Sequence, residues 1–226
     1  MLDLGLLSIL RQDTLLALAT LVSIINPLGI AFVFREMTIW ATPSERAALS
    51  RRIALYALAV ILCSYFVGSV VLGVFGIGLP ALRIAGGLVV AMSGFSLLNA
   101  PDRAEAAPQA MDTAPVMQMA FFPLTMPLTT GPGTITVSIA LGAARSERTG
   151  AGLVSAALGF MAAAVAMSVL IWACYRYADK LSRLVGPEGT RVVTRLSAFL
   201  LLCVGVQIIA TGVLDLITPL LAPRGG

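Results

Sequence analysis

The sequence has no histidine, only three cysteines and few charged residues. Cys63, Cys174 and Cys203 stand singly inside apolar stretches, so neither a disulfide framework nor a zinc site is expected. The lack of histidine excludes a Ser-His-Asp set, and the Gly-Pro-Gly at 131–133 lacks the lysine of a phosphate-binding loop. We therefore expect no enzymatic activity, no catalytic metal and no organic cofactor.

Long apolar runs dominate the chain instead. Of its 226 residues, 58% are hydrophobic and 12% are charged, and the mean hydropathy is +0.96, far above that of an average soluble domain. A helix needs about 20 apolar residues to cross the hydrocarbon core. Six segments reach that length: 14–34, 53–75, 81–99, 119–144, 153–175 and 196–217. We expect an all-α integral membrane protein with one transmembrane domain over 1–226 and the lipid bilayer as its surroundings.

The basic residues lie at the ends of these spans, so they indicate topology and not binding to nucleic acid. If both termini share one side, ten of the 15 lysines and arginines fall in the connections after the first, third and fifth spans. These ten are Arg35, Arg46, Arg51, Arg52, Arg103, Arg176, Lys180, Arg183, Arg191 and Arg195. The positive-inside rule then predicts that these connections are cytoplasmic and that both termini are periplasmic.

Two of the spans are interrupted by proline. The fourth contains Gly131-Pro132 and the first contains Asn26-Pro27. Proline has no N–H and its ring clashes with the carbonyl four residues earlier, so a helix is expected to stop before each proline. A new helix can begin at once, because Asn26 and Gly131 suit the N-cap and the prolines suit the first helical position. Helices 1 and 4 are therefore predicted to be broken at these two sites.

The chain consists of two halves with the same order of spans, and each half contains one of the breaks. Repeat one covers about 14–99, a proline-containing linker covers 100–118, and repeat two covers about 119–217. Each half has one broken and two continuous spans, and because three is odd the halves must cross the membrane in opposite orientations. This predicts two inverted three-helix repeats, a plan in which broken helices build a substrate site near the midplane.

The polar groups at membrane depth are neutral and cluster at the breaks. Two half-helix N-termini offer free N–H groups and about half a positive charge each, which favours a carboxylate. Carbonyls released at the breaks, with threonine hydroxyls, suit Na⁺ as a coupling ion or a substrate ammonium group. The residues predicted to bind substrate are Asn26, Pro27, Gly29, Thr129, Thr130, Gly131, Pro132, Gly133 and Thr134. The alternative is that the prolines make simple kinks whose carbonyls are satisfied by neighbouring side chains.

Two stretches of the sequence resemble the signatures of the MarC family. They are Asn-Pro-Leu-Gly at 26–29 and Pro-Leu-Thr-Thr-Gly-Pro-Gly-Thr-Ile-Thr at 127–136. Residues 30–34, Ile-Ala-Phe-Val-Phe, depart from the further proline and polar residue that many members carry. The resemblance covers nearly the whole chain in length and span order. It implies a six-span bacterial inner-membrane protein related to transporters of the LysE superfamily, some of them described as neutral amino-acid transporters.

From these features we expect a secondary transporter of a small solute, above all a neutral amino acid or similar zwitterion, that works by alternating access around the broken helices. The alternative is an inner-membrane structural or interaction protein of the same family that transports nothing. If the first hypothesis is right, residues around both breaks should line one water-accessible cavity, and Asn26 and Thr130 should lie within hydrogen-bonding distance of it. A stripe of small residues in the fifth span, Ala151, Ser155, Gly159 and Ala163, favours packing inside one protomer over the seam of a homo-oligomer.

Overall fold

A computed structural model describes residues 2–99, 116–146 and 148–221. The regular structure in these ranges is helical, without strands. The α-helices in them are α1 (Leu2–Ile25), α2 (Pro27–Met37), α3 (Pro43–Val74), α4 (Leu79–Leu98), α5 (Pro132–Ser146), α6 (Ala151–Arg176) and α7 (Ala178–Leu221). A 3₁₀ helix, Val116–Ala120, and a kinked segment, Phe121–Thr129, precede α5. Most of the predicted linker lies outside the described residues.

Within the described residues, five stretches are long and apolar enough to cross a membrane. They are Ser8–Arg35, Pro43–Val74, Leu79–Ser96, Ala151–Arg176 and Glu188–Thr218. The remaining predicted span, the fourth at 119–144, is divided between the kinked segment and α5, and neither piece has the length of a membrane-spanning helix. The predicted break in the fourth helix is therefore present, and it shortens the helical pieces more than a single kink would.

The kinked segment bends at Phe122 and Met126, whose backbones are extended (φ −125°, ψ 125° and φ −110°, ψ 128°). Each immediately precedes a proline, and the residue before a proline is disfavoured in the helical region. The turns are also wide, because the N–H of Thr130 bonds to the carbonyl of Thr125, five residues back, at 2.8 Å. Successive prolines thus prevent one continuous helix from forming here.

Two helices begin well before the apolar spans that they contain. α3 starts ten residues ahead of the predicted second span because Thr42 and Glu45 form a capping box: Thr42 Oγ1 accepts the N–H of Glu45 at 3.3 Å, and the N–H of Thr42 donates to Glu45 Oε2 at 2.8 Å. α7 also starts early and bends at Gly186 (φ 74°, ψ 173°). These extensions bring Arg46 Nη2 to 2.8 Å from Asp179 Oδ2.

Small residues bring the helices close together. A Cβ added at Gly159 of α6 would stand 2.9 Å from the Asp13 Cβ of α1. A Cβ added at Gly94 of α4 would stand 2.5 Å from the backbone nitrogen of Leu202 in α7. The stripe predicted in the fifth span therefore packs within the chain over its buried members, although Ala151 is exposed.

The main helix pairs match when the two halves are exchanged. The broken first helix packs on α6, the middle helix of repeat two, and the broken fourth helix packs on α3, the middle helix of repeat one. Likewise α2 packs on α7 and α5 packs on α4, while α3 with α6 and α4 with α7 are pairs of equivalent helices. The main buried core, which includes Leu21, Ile53 and Phe160, lies between α1, α3 and α6. This all-α arrangement is the packing expected for two inverted repeats.

Candidate functional site

The first break is capped by the side chain of Asn26. α1 ends at Ile25 and α2 begins at Pro27, and Asn26 between them adopts the left-handed conformation (φ 45°, ψ 62°). Asparagine is one of the few residues besides glycine that visit this region readily. Its Oδ1 accepts the N–H of Gly29 at 3.3 Å, which confirms the predicted N-cap. One of the free N–H groups of α2 is therefore already occupied.

Gly29 packs the first break against α7. A Cβ added there would lie 2.2 Å from Ser197 Oγ and 2.7 Å from Asn26 Nδ2. Both Pro27 and Gly29 are buried. The first break is consequently a tightly packed joint, in which even one methyl group would displace its neighbours.

The second break has a cap without a side chain. Thr130 is non-helical (φ −117°, ψ 70°), α5 begins at Pro132, and the carbonyl of Gly131 accepts the N–H of Ile135 at 3.2 Å. Gly131 is therefore the N-cap, as predicted. Because glycine has no side-chain oxygen, this cap cannot make the bond that Asn26 makes at the first break.

Threonine hydroxyls satisfy several carbonyls of the kinked segment. Thr125 Oγ1 donates to the Ala120 carbonyl at 2.6 Å, Thr129 Oγ1 donates to the Leu124 carbonyl at 2.6 Å, and Thr130 Oγ1 donates to the Thr125 carbonyl at 3.2 Å. These are the side-chain bonds that stabilise broken helices in lipid. The hydroxyl hydrogens are thus used inside the segment.

A cavity of about 200 Å³ lies between the two breaks. Its lining comprises Ile24, Ile30 and Val33 from the first broken helix, Leu128, Thr129 and Gly131–Thr134 from the second, and Val90, Ser93 and Leu201 from α4 and α7. Residues beside both breaks therefore line one cavity, although Asn26 and Thr130, which the transporter hypothesis places at it, are not among the lining residues. The described lining is mostly apolar, with a few hydroxyl groups and no charged side chain.

The nine predicted site residues divide into two groups. Thr129, Gly131, Pro132, Gly133 and Thr134 line the cavity. The other four, Asn26, Pro27, Gly29 and Thr130, are close to lining residues along the chain but are not among the residues that line it. The two polar side chains among these four are hydrogen-bonded locally, because Asn26 Oδ1 accepts the N–H of Gly29 and Thr130 Oγ1 donates to the Thr125 carbonyl.

Tyr175 is a site residue that the sequence analysis missed. It lies at the end of α6 with 2% of its surface exposed, and its hydroxyl is 2.8 Å from Oγ1 of Thr129 in the cavity wall. Its ring stacks on Phe34 of α2, with centroids 4.5 Å apart and planes 11° apart. Tyr175 therefore touches both broken helices. A tyrosine at the end of an apolar span is common, and only the fold reveals these contacts.

Ion pairs tie helices together at the end of the molecule that carries the start of α1. Asp13 of α1 pairs with Arg148 at 3.0 Å and accepts from Ser155 Oγ of α6 at 3.1 Å. Arg83 of α4 pairs with Asp215 of α7 at the same end. These charges lie toward the helix ends, apart from the uncharged cavity lining.

A model of the family described as MarC family integral membrane protein matches residues 12–217. The chain belongs to the MarC family. Similar curated proteins are named inner membrane protein MarC in Salmonella typhimurium (36% identical), Citrobacter koseri (37%) and Escherichia coli O1:K1 (36%). Each comparison covers 89% of this chain and 94% of the relative. No solved structure matches the chain.

The two stretches that resemble MarC signatures occupy the two breaks. The stretch at 26–29 forms the capped joint, and the stretch at 127–136 supplies the kinked segment and the start of α5. Within this MarC family protein, only the second stretch contributes residues directly to the cavity lining. Family membership establishes an integral membrane protein.

Proposed function

We propose that this protein is a secondary transporter that carries a small neutral amino acid, or a similar zwitterion, across the bacterial inner membrane by alternating access. The observation that carries the proposal is the cavity shared by residues beside both breaks. Broken helices in corresponding positions of two inverted repeats commonly form the substrate site of secondary transporters.

The size and the chemistry of the cavity support this class of substrate. Its volume of about 200 Å³ lies below the roughly 300–1,000 Å³ of pockets for drug-sized ligands, which favours a small solute. The N-terminus of α5, at Gly133 and Thr134, suits a carboxylate, and the Ser93 hydroxyl suits an ammonium group. The apolar walls suit an aliphatic side chain. Because a buried net charge without a partner is costly, the uncharged lining favours a solute with zero net charge.

The decisive experiment is counterflow of labelled neutral amino acids in proteoliposomes that contain the purified protein, with and without a Na⁺ gradient. We expect counterflow of at least one small neutral amino acid, which empty liposomes lack. Stimulation by inward Na⁺ would support Na⁺ as the coupling ion. A well-folded protein that exchanges none of the neutral amino acids would favour the alternative, a membrane protein with a structural or interaction role.

The orientation also needs its own test. The relatives are named inner membrane proteins, and the basic connections predict that both termini are periplasmic. A cysteine at Ala106, in the predicted cytoplasmic linker, should resist a membrane-impermeant maleimide applied to spheroplasts with intact membranes. Efficient labelling there would reverse the proposed orientation.

A further inference from the structure

The hydroxyl of Tyr175 contacts the hydroxyl of Thr129, a residue that lines the cavity. Thr129 has a single hydroxyl hydrogen, which it donates to the Leu124 carbonyl. In the 2.8 Å contact between the two hydroxyls, Tyr175 must therefore be the donor and Thr129 the acceptor. Any solute group that takes over the Thr129 oxygen would compete with Tyr175 for it.

The ring of Tyr175 stacks next to a residue that pairs with Asp179, and the carboxylate of Asp179 joins three helices. Phe34, on which the ring stacks, is followed by Arg35, whose Nε lies 3.1 Å from Asp179 Oδ1. The other carboxylate oxygen of Asp179 lies 2.8 Å from Nη2 of Arg46. Asp179 belongs to α7, Arg35 to α2 and Arg46 to α3. A single carboxylate thus ties these helices together at one end of the molecule.

Tyr175 and Asp179 lie on either side of a one-residue junction, because α6 ends at Arg176, α7 begins at Ala178, and Tyr177 between them is non-helical (φ −105°, ψ 11°). The N–H of Tyr177 bonds to the Ala173 carbonyl at 3.0 Å, and the N–H of Leu181 bonds to the Tyr177 carbonyl at 2.9 Å. Four residues of helix span about 6 Å. Tyr175 is therefore joined to Asp179 through hydrogen-bonded turns on both sides of this junction.

The contacts of Asp179 are suited to opening and closing. The side chains of Arg35 and Asp179 are 29% and 35% exposed, and ion pairs that water reaches add little net stability. On the inner side, Val33 of α2 lines the cavity next to Phe34, and Thr129 lines it next to Tyr175. If α2 moves away from Asp179, the stacked rings separate and the cavity opens between these two walls.

We propose that Asp179, with Arg35 and Arg46, is the gate at this end of the cavity, and that Tyr175 is a positioning residue that couples the gate to Thr129. The role of this gate rests on the proposed transport function, but its opening can be measured without any solute. By the basic-residue distribution, this is the end predicted to face the cytoplasm.

The test uses a cysteine at Val33 as a reporter, in a chain whose Cys63, Cys174 and Cys203 have been replaced. A membrane-impermeant maleimide is applied to vesicles of both orientations. We expect Asp179→Asn to raise the labelling rate by about fivefold or more, and only from the side where α2 ends. Arg46→Gln should act in the same direction, and it carries the test if Asp179→Asn does not accumulate.

Glu188→Gln is the matched control. Glu188 is also on α7 and is strongly exposed, but its ion pair with Arg191, at 3.8 Å, stays within that helix. In the Glu188→Gln variant, the cysteine at Val33 should be labelled at the same rate as in the parent. An unchanged rate in a well-folded Asp179→Asn protein would overturn the gate. An equal rise from both sides of the membrane would do the same, because it would indicate general loosening.

The role of Tyr175 is tested by a double-mutant cycle. Tyr175→Phe keeps the stacking ring and removes the hydroxyl, while Thr129→Val removes its partner. If Tyr175 acts through Thr129, the double variant should label no faster than the faster of the two single variants. Additive effects would overturn the coupling. Gated labelling without counterflow of any amino acid would refute the transport function alone, and counterflow without gated labelling would refute the gate alone.

Discussion

The two breaks share a sequence plan but differ in structure. At Asn26-Pro27 the cap is a side chain, the joint is packed on α7, and the break residues themselves stay out of the cavity lining. At Gly131-Pro132 the cap has no side chain, the preceding turns are wide, and the start of α5 lines the cavity. We infer that the first break shapes the membrane domain and that the second binds the solute. Similar motifs in two repeats can therefore have different roles.

The largest effect should come from Gly133→Ala, at the second break. The added Cβ would lie 2.2 Å from Val90 Cγ2, with its next neighbours at 3.6 Å, so a single cavity-lining side chain has to move. We expect an apparent affinity for the transported amino acid lower by roughly 10–200-fold, the usual range for one misplaced methyl group in a pocket. Thermal unfolding in detergent should change little. Counterflow at several solute concentrations measures the loss.

Gly29→Ala, at the first break, should lower folding stability and leave the affinity for the solute nearly unchanged. Its Cβ would collide with Ser197 and with the capping Asn26, and overpacking of this kind costs about 1–3 kcal/mol of folding stability. The folded fraction should still bind solute with nearly the parent affinity. If Gly29→Ala weakened binding as much as Gly133→Ala in equally stable protein, the division of roles between the breaks would be wrong.

The next effect tests the cap at the first break. Asn26→Ala loses the bond to Gly29 and puts a methyl-bearing residue at φ 45°, so we expect a loss of about 0.5–2 kcal/mol. Asn26→Gly also loses the bond but adopts the left-handed conformation freely, and it should cost only a few tenths of a kcal/mol relative to asparagine. Thermal unfolding of the purified variants ranks them. Equal stability of the two variants would contradict the conformational argument.

A smaller effect concerns selectivity. Leu201 lines the cavity, whereas Leu28, beside the first break, is 54% exposed. Leu201→Ala should enlarge the cavity and shift the ratio of transport of long over short neutral amino acids by about tenfold. Leu28→Ala is the matched control and should leave the ratio unchanged. A changed transport ratio in the Leu28→Ala control, or an unchanged ratio in Leu201→Ala, would indicate that the solute does not bind in this cavity.

The smallest effect should be that of pH. The described cavity lining contains no titratable side chain, and the chain has no histidine. The apparent affinity for a zwitterion should therefore stay within about twofold between about pH 6 and about pH 8. Counterflow at both values measures it. A much larger change would indicate that a titratable group outside the described lining controls binding.

Sequence reasoning succeeded where local chemistry decides the outcome. The positions of both breaks and the identity of both caps follow from proline, asparagine and glycine, whose backbone preferences act within a few residues. Apolar runs alone underestimate the lengths of α3 and α7, because polar turns that extend an apolar span, such as the Thr42–Glu45 capping box, are not part of the hydrophobic signal. The fourth span was also more fragmented than predicted, since each of its prolines affects the residue before it.

By itself, the sequence determined that this is a membrane domain of helices with two broken spans, because apolar runs and proline act locally and in any fold. Only the tertiary structure decided which break opens to the cavity, which helices meet, and that Tyr175 lies between Thr129 and Phe34. Those outcomes depend on contacts between residues far apart in the chain. Such contacts are set by how seven helices pack around small residues, and no short stretch of sequence encodes them alone.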